Sequence, residues 1–273
     1  MANDFFAVDL LVADGPRPSS PLEARVVEFL EGMDSTEPLD GPEFSRVNGS
    51  ETKADYLLGN RLLIAELKTI NDGPELRTED RLGKRLAHSD APIVFGTVPV
   101  TQVIGGLQDQ EAINKMMLDM AGRAVRRHLK KANDQIGAMK ERLGLPDAGG
   151  MLVLMNDSEP MIDVAAICYA AKSAFDTVEG GYPNITNIWA LVESHRIAMP
   201  GGRTGFPHVH VFRSLDRKAD LDYLGRMLWA WGIYNKSPME RLEHRGNWDA
   251  MQPIYDGQPP TLNPFGSELD TAK

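Results

Sequence analysis

The chain has 273 residues, 42% hydrophobic and 25% charged, which excludes a disordered or fibrous protein and suits one large domain. Its 29 Lys and Arg against 39 Asp and Glu leave a net charge of −10, so the molecule as a whole repels a polyanion and is not a general nucleic-acid coat. A single cysteine, Cys168, excludes a disulfide framework or a Cys-x-x-Cys metal cluster and suits a reducing, cytoplasmic setting.

The first 18 residues hold a short apolar stretch interrupted by aspartates, with no basic lead, unlike a signal peptide. No apolar run approaches the length of a membrane span. Residues 21–33 predict a helix, with Pro at the start and Leu22, Val26, Phe29, Leu30 and Met33 at helical spacing. A Pro-, Gly- and Asp-rich connection over 34–42 leads to a short strand expected at 43–48. Two apolar runs, 53–58 and 61–70, are separated only by Gly59-Asn60, a favoured two-residue hairpin loop. Residues 71–90 are polar and read as an insertion, followed by a strand-like run over 92–104. A long helical pattern covers 111–143, an apolar strand 149–156, and a buried-looking helix 161–178. Strands at 187–193 and 208–213 and an aromatic-rich helix at 220–234 follow. From Gly246 onward, four prolines and little periodicity predict a surface-wrapping or mobile tail. Charge is uneven along this order: residues 1–60 carry −8, residues 61–142 carry +3, and residues 143–273 carry −5.

The hairpin gathers charge where core is expected. Taken as a two-residue turn, Gly59-Asn60 sets Leu58 opposite Arg61 and Asp55 opposite Ile64, with Glu66 diagonal to Asp55. Alternation then puts Ala54, Tyr56, Leu58, Leu63, Ala65 and Leu67 on one face, with Asp55, Leu57, Ile64, Glu66 and Lys68 on the other. Three acid-x-Lys triplets occur, at Glu51, Glu66 and Asp216, and only Glu66-Leu67-Lys68 lies inside an apolar strand. An edge strand with a solvated Glu/Lys pair would explain the triplet alone. The apolar reverse face and the tight turn that delivers Asp55 favour a functional site, because grouping these charges has a desolvation cost.

Asp55, ten intervening residues and Glu66-x-Lys68 on a hydrophobic strand resemble the PD-(D/E)XK nuclease superfamily. The order of expected elements is also similar: a helix, three antiparallel strands, a helix and a further strand, over about residues 20–195. Lys53-Ala54-Asp55 lacks the Pro before Asp, and the insertion after Lys68 is long. The resemblance implies that Asp55, Glu66 and the backbone carbonyl of Leu67 bind Mg²⁺, with Mn²⁺ as a substitute, and that Lys68 assists the attacking water. It also implies a glutamate from the first helix, where Glu28 is preferred over Glu23 and Glu31, and it makes a homodimer plausible.

Residues 123–142 hold seven basic side chains against two acidic ones, with Val125, Leu129, Ala132, Ile136, Met139 and Leu143 as the buried stripe. A solvated helix face is one reading, and contact with a phosphate backbone through Arg126, Arg127, Lys130 and Lys131 is the other. The resemblance also implies that this helix offers Lys or Gln toward the site, and Lys131 and Gln135, one turn apart, are placed to do so. His208 and His210 share a strand face but lack an identifiable third metal ligand, so a structural pair is favoured. Cys168 reads as a buried, inert thiol. Tyr223, Trp229, Trp231 and Tyr234 suit a core or a dimer interface better than base stacking. Asn156-Asp157 is a candidate cleft lining.

The expectation is therefore a single α/β domain with a restriction endonuclease-like core, a central mixed sheet flanked by helices, and C-terminal strand and helix additions over 196–273. Its expected activity is Mg²⁺-dependent phosphodiester hydrolysis on DNA, with RNA as the second candidate. The main rival is a catalytically silent fold of this kind that binds nucleic acid or protein. A hydrolase built on His208 and His210 is the third.

Overall fold

The computed structural model describes residues 7–40, 53–71, 98–99, 110–177, 181–242, 253–254 and 261–262. Among these, the strands are β1 (Ala7–Asp14), β2 (Glu37–Pro38), β3 (Tyr56–Leu58), β4 (Leu63–Thr69), β5 (Val98–Pro99), β6 (Gly149–Asn156), β7 (Asn187–Val192), β8 (Ile197–Ala198), β9 (Thr204–Phe212), β10 (Met239–Arg241) and β11 (Thr261–Leu262). The helices are α1 (Leu22–Glu31), α2 (Gln110–Leu143), α3 (Val164–Thr177) and α4 (Lys218–Tyr234). The main sheet runs β10-β1-β9-β7-β6-β4-β3-β2, with β8 paired to β9, and β5 and β11 form a separate pair. Strands β4, β6 and β7 are parallel, and every other pairing is antiparallel.

Two helical layers sandwich this sheet. Leu57, Ile64, Leu152, Leu154, Ile188 and Val209 point to α2 and α3, while Leu58, Leu63, Ala65, Met151, Val153 and Trp189 point to α1 and α4. With both faces covered, β6 reads as an unbroken apolar run, and all eight of its residues are buried. Its second glycine is required by close approach: a Cβ on Gly150 would fall 1.8 Å from the Asn184 carbonyl oxygen. The stripe foreseen on α2 is the buried one, from Val125 through Leu129, Ala132 and Ile136 to Met139.

Some elements differ from expectation. Strand β1 was not anticipated, because Ala7–Asp14 shows no clean alternation; it is held by β9 on one side and β10 on the other. Strand β9 thus lies inside the main sheet, between β7 and β1, rather than as an addition beside it. The strand expected at 43–48 lies outside the described residues, and the short β2 occupies the position beside β3. The polar stretch over 72–90 and all of 92–104 except β5 also lie outside them. Of the tail, Ile254 bridges Arg196 and β11 pairs with β5.

The hairpin register needs correction. Leu58 faces Leu63, Leu57 faces Ile64 and Tyr56 faces Ala65, so the connection is Gly59–Leu62 and not Gly59-Asn60 alone. Gly59, Asn60 and Arg61 take successive positive φ values of 62°, 55° and 68°. The cause lies at Arg61. The two-residue turn would set its guanidinium opposite Leu58 in the α1-facing core. In the observed register, Arg61 is exposed and donates to both Glu37 carboxylate oxygens at 3.0 and 2.9 Å, while Leu58 and Leu63 are fully buried. A shift of two residues preserves each strand's faces. Only Ala54, outside β3, moves, joining the α2-facing cluster.

Candidate active site

Asp55 stands just before β3, beyond the last paired residues Tyr56 and Ala65, and its carboxyl group lies close to that of Glu66. The Asp55 amide donates to the Ala65 carbonyl at 3.0 Å, and the Leu67 amide donates to Asp55 Oδ2 at 2.7 Å. Asp55 thereby extends the hairpin with a carboxylate in place of a strand. The next residues of β4 on the opposite edge face β6: the Leu62 carbonyl accepts from Gly149, and the Ile70 amide donates to Met155. By alternation the Leu67 carbonyl lies on the same edge of β4 as Asp55.

Glu66 is 1% exposed and pairs with Lys68, whose side chain is 21% exposed. Burial, together with the negative charge of Asp55 beside it, pushes Glu66 up to about 8. Asp55 is also raised, chiefly by burial, against the opposing pull of the Leu67 amide and the Lys68 ammonium. Gln135 of α2 and Asp55 both lie near enough to weigh on Glu66, yet among the described residues no atom meets Glu66 Oε2 in hydrogen-bonding geometry. A buried carboxylate oxygen without a partner is costly, and a ligand that supplies positive charge would satisfy it. Two carboxylates and a backbone carbonyl are hard oxygen donors, a set that suits Mg²⁺, which keeps several waters and takes substrate oxygens for the rest. Among the described residues, no group of three or more His, Cys, Asp or Glu side chains is placed to hold a metal ion.

Gln135 anchors α2 over this end of the hairpin by donating its side-chain amide to the Lys53 carbonyl. One turn before it, Lys131 is exposed, and a further turn back stands Arg127, so the three form an i, i+4 row along α2. Lys130 and Arg123 are exposed as well. Two other basic residues of this helix are turned to other work. Arg126 is half-buried and donates to the Asp119 carbonyl, and Lys140 is half-buried, its pKa lowered by burial and by Arg217 nearby.

Helix α1 lies on the other face of the sheet. Glu28 is exposed and contacts the Tyr234 hydroxyl of α4, so it does not join Asp55 and Glu66. Glu31 accepts from Tyr56 at 3.3 Å, and Glu23 accepts from Thr69, the last residue of β4, at 2.7 Å. The preference for Glu28 over Glu23 and Glu31 is therefore corrected: Glu28 is turned to α4, while Glu31 and Glu23 reach β3 and the end of β4.

Sequence reasoning missed Asp40, whose charge bears on Asp55 and which pairs with Lys53 at 3.4 Å. The bend that brings it there follows β2, an element without a periodic signal. His208 and His210 are buried between the sheet and α4 against Trp189 and Trp231, and burial lowers both to about 3, which keeps them neutral. Cys168 is buried and its thiol is pushed far up by burial. Asn156 is consumed by structure, donating to the Glu159 and Ile162 carbonyls and accepting from the Glu159 amide. Among the described residues, no helix is long and apolar enough to cross a membrane.

No family model matches the chain, and no curated protein or solved structure matches it.

Proposed function

We propose that the chain is a metal-dependent phosphodiesterase of the PD-(D/E)XK kind that cuts DNA, with a restriction endonuclease-like core. The observation that carries this reading is the pair of neighbouring carboxyl groups, Asp55 and Glu66, with Lys68 on Glu66 at the open end of the hairpin. The order α1, β2, β3, β4, α2, β6, with β2–β4 antiparallel and β6 parallel to β4, supports it at the level of the fold.

Asp55 and Glu66 would hold Mg²⁺, with the Leu67 carbonyl on the same edge. The ion supplies charge neutralisation and orientation for in-line attack on phosphorus. The Leu67 amide fixes Asp55, and Gln135 ties α2 to the hairpin so that the carboxyl pair stays in register. Lys68 sits at the half-open edge, where its ammonium can orient a water and stabilise negative charge developing on the phosphate oxygens. Lys130 and Lys131 would meet the backbone phosphates. A molecule of net charge −10 repels nucleic acid elsewhere and admits it along this helix.

The test is cleavage of plasmid and linear DNA, and of RNA in parallel, with Mg²⁺ or Mn²⁺. Glu66→Gln and Lys68→Ala are each expected to lower the rate by roughly 10²–10⁴-fold while the fold is retained. Unchanged cleavage in both would reject the site. A second reading, a silent fold that binds nucleic acid without cutting it, is favoured by one observation: among the described residues no third acid is placed to hold a metal ion with Asp55 and Glu66, since Glu28 lies elsewhere. Binding that depends on Lys130 and Lys131, with no turnover under either metal, would select it.

A further inference from the structure

Trp229 and Ile233 of α4 are 72% and 58% exposed, and Trp229 is the most exposed large hydrophobic among the described residues. They continue an exposed row that begins with Asp222, passes Gly225 and Arg226, and ends at Lys236 just beyond the helix. Beside the row lies a groove of about 730 Å³ between α4 and the β1–β10 edge, with Leu11, Leu228, Gly232 and Met239 among its walls and the Asp9–Arg241 ion pair at its rim. A contiguous apolar patch of this kind, flanked by charge, marks an interaction surface.

We propose that this surface joins two copies of the chain, with α4 docked antiparallel to α4 of a second copy about a two-fold axis through Trp229. An isologous interface requires a patch complementary to itself, and this one is. Antiparallel pairing about Trp229 sets Asp222 opposite Lys236 of the second copy, and the same contact repeats on the other side of the axis. It likewise sets Ile233 opposite Gly225, where an added Cβ would meet nothing within 4 Å, so the glycine leaves an open notch for the isoleucine. The two tryptophans meet at the axis, at the edge of the groove. Each helix also brings its negative C-terminal end beside the positive N-terminal end of the other. Parallel docking would oppose Asp222 to Asp222 and Lys236 to Lys236, and is rejected by charge. The hairpin carboxylates lie on the opposite face of the sheet, under α2, so both copies keep them uncovered. The dimer stands independently of the nuclease reading.

The experiment is sedimentation equilibrium of the full chain across the micromolar range, with thermal melts to verify folding of each variant. The wild type is expected to dimerise and Trp229→Glu to be monomeric. Asp222→Lys alone should weaken the dimer about tenfold by opposing two lysines at each end. Adding Lys236→Asp should restore it, because the reversed charges again pair across the axis. A monomeric wild type, whether its groove is filled by the chain's own C-terminal segment or left open, overturns the proposal. So does a dimer indifferent to Trp229→Glu, or a double reversal that fails to recover the loss of the single one.

Discussion

Glu66 keeps its proton up to about pH 8 in the folded, metal-free protein, against about 4.5 for an ordinary glutamate, because it is buried beside Asp55. Between these values the native state binds more protons than the unfolded chain, so stability falls as pH rises. The denaturant midpoint of metal-free protein is therefore expected to drop from pH 5 to 8, by a free energy on the order of a few kcal/mol for a shift of this size. Glu66→Gln should flatten that slope, since the amide carries no proton to lose. A divalent cation added at pH 8 should raise the midpoint of the wild type and not of the variant. The carboxyl pair was legible in the sequence because acid-x-Lys inside an apolar strand violates the burial rule. Its register was not: the pairing of the two strands shifted by two residues when Arg61 left the core for Glu37.

At the scale of elements, α2 presents a continuous apolar stripe to the core and a basic row to solvent. Replacing Lys130 and Lys131 by Ala should weaken DNA binding almost equally for all sequences. It should reduce the slope of log K against log salt by about one for each phosphate that is no longer neutralised. Arg126, engaged with the Asp119 carbonyl, should matter less in the same titration. Strand β9 makes the opposite pH statement to Glu66. His208 and His210 are held neutral to about pH 3, against 6.5 for a free histidine, so the unfolded chain binds more protons below 6.5. Acid unfolding through that range is expected to ease when His210 is replaced by Leu, read as a lower midpoint pH in a circular-dichroism titration.

At the scale of the molecule, Arg25 ties three elements together. From α1 its guanidinium pairs with the buried Glu193 just after β7, donates to Asn235 at the end of α4 at 2.6 Å, and lies 5.9 Å from the Trp231 ring centroid. Burial raises Glu193 against the opposing pull of the Arg25 guanidinium, so loss of Arg25 would raise it further. Arg25→Met should therefore cost about 3–5 kcal/mol in urea unfolding, and pairing it with Glu193→Met should recover most of the loss. The helix periodicity of 21–33 identified Leu22, Val26, Phe29 and Leu30 as core, and that holds. It assigned nothing to Arg25, a charged residue one position from the stripe. Its partners come from chain segments 168 and 210 residues away.

Composition and periodicity by themselves determined the α/β class, the helices expected at 21–33, 111–143, 161–178 and 220–234, the apolar strands at 149–156, 187–193 and 208–213, and the grouping of Asp55, Glu66 and Lys68 in one hairpin. These follow from local rules, since burial pattern repeats every 2 or 3.6 residues and turn chemistry sits between the repeats. The tertiary structure alone decided the hairpin's four-residue connection, the insertion of β9 between β7 and β1, the fate of Glu28 on the far face, and the exposed Trp229 row on α4. Each depends on which distant surface competes for a side chain, and that competition is settled by desolvation and packing across the sheet rather than by spacing along the chain.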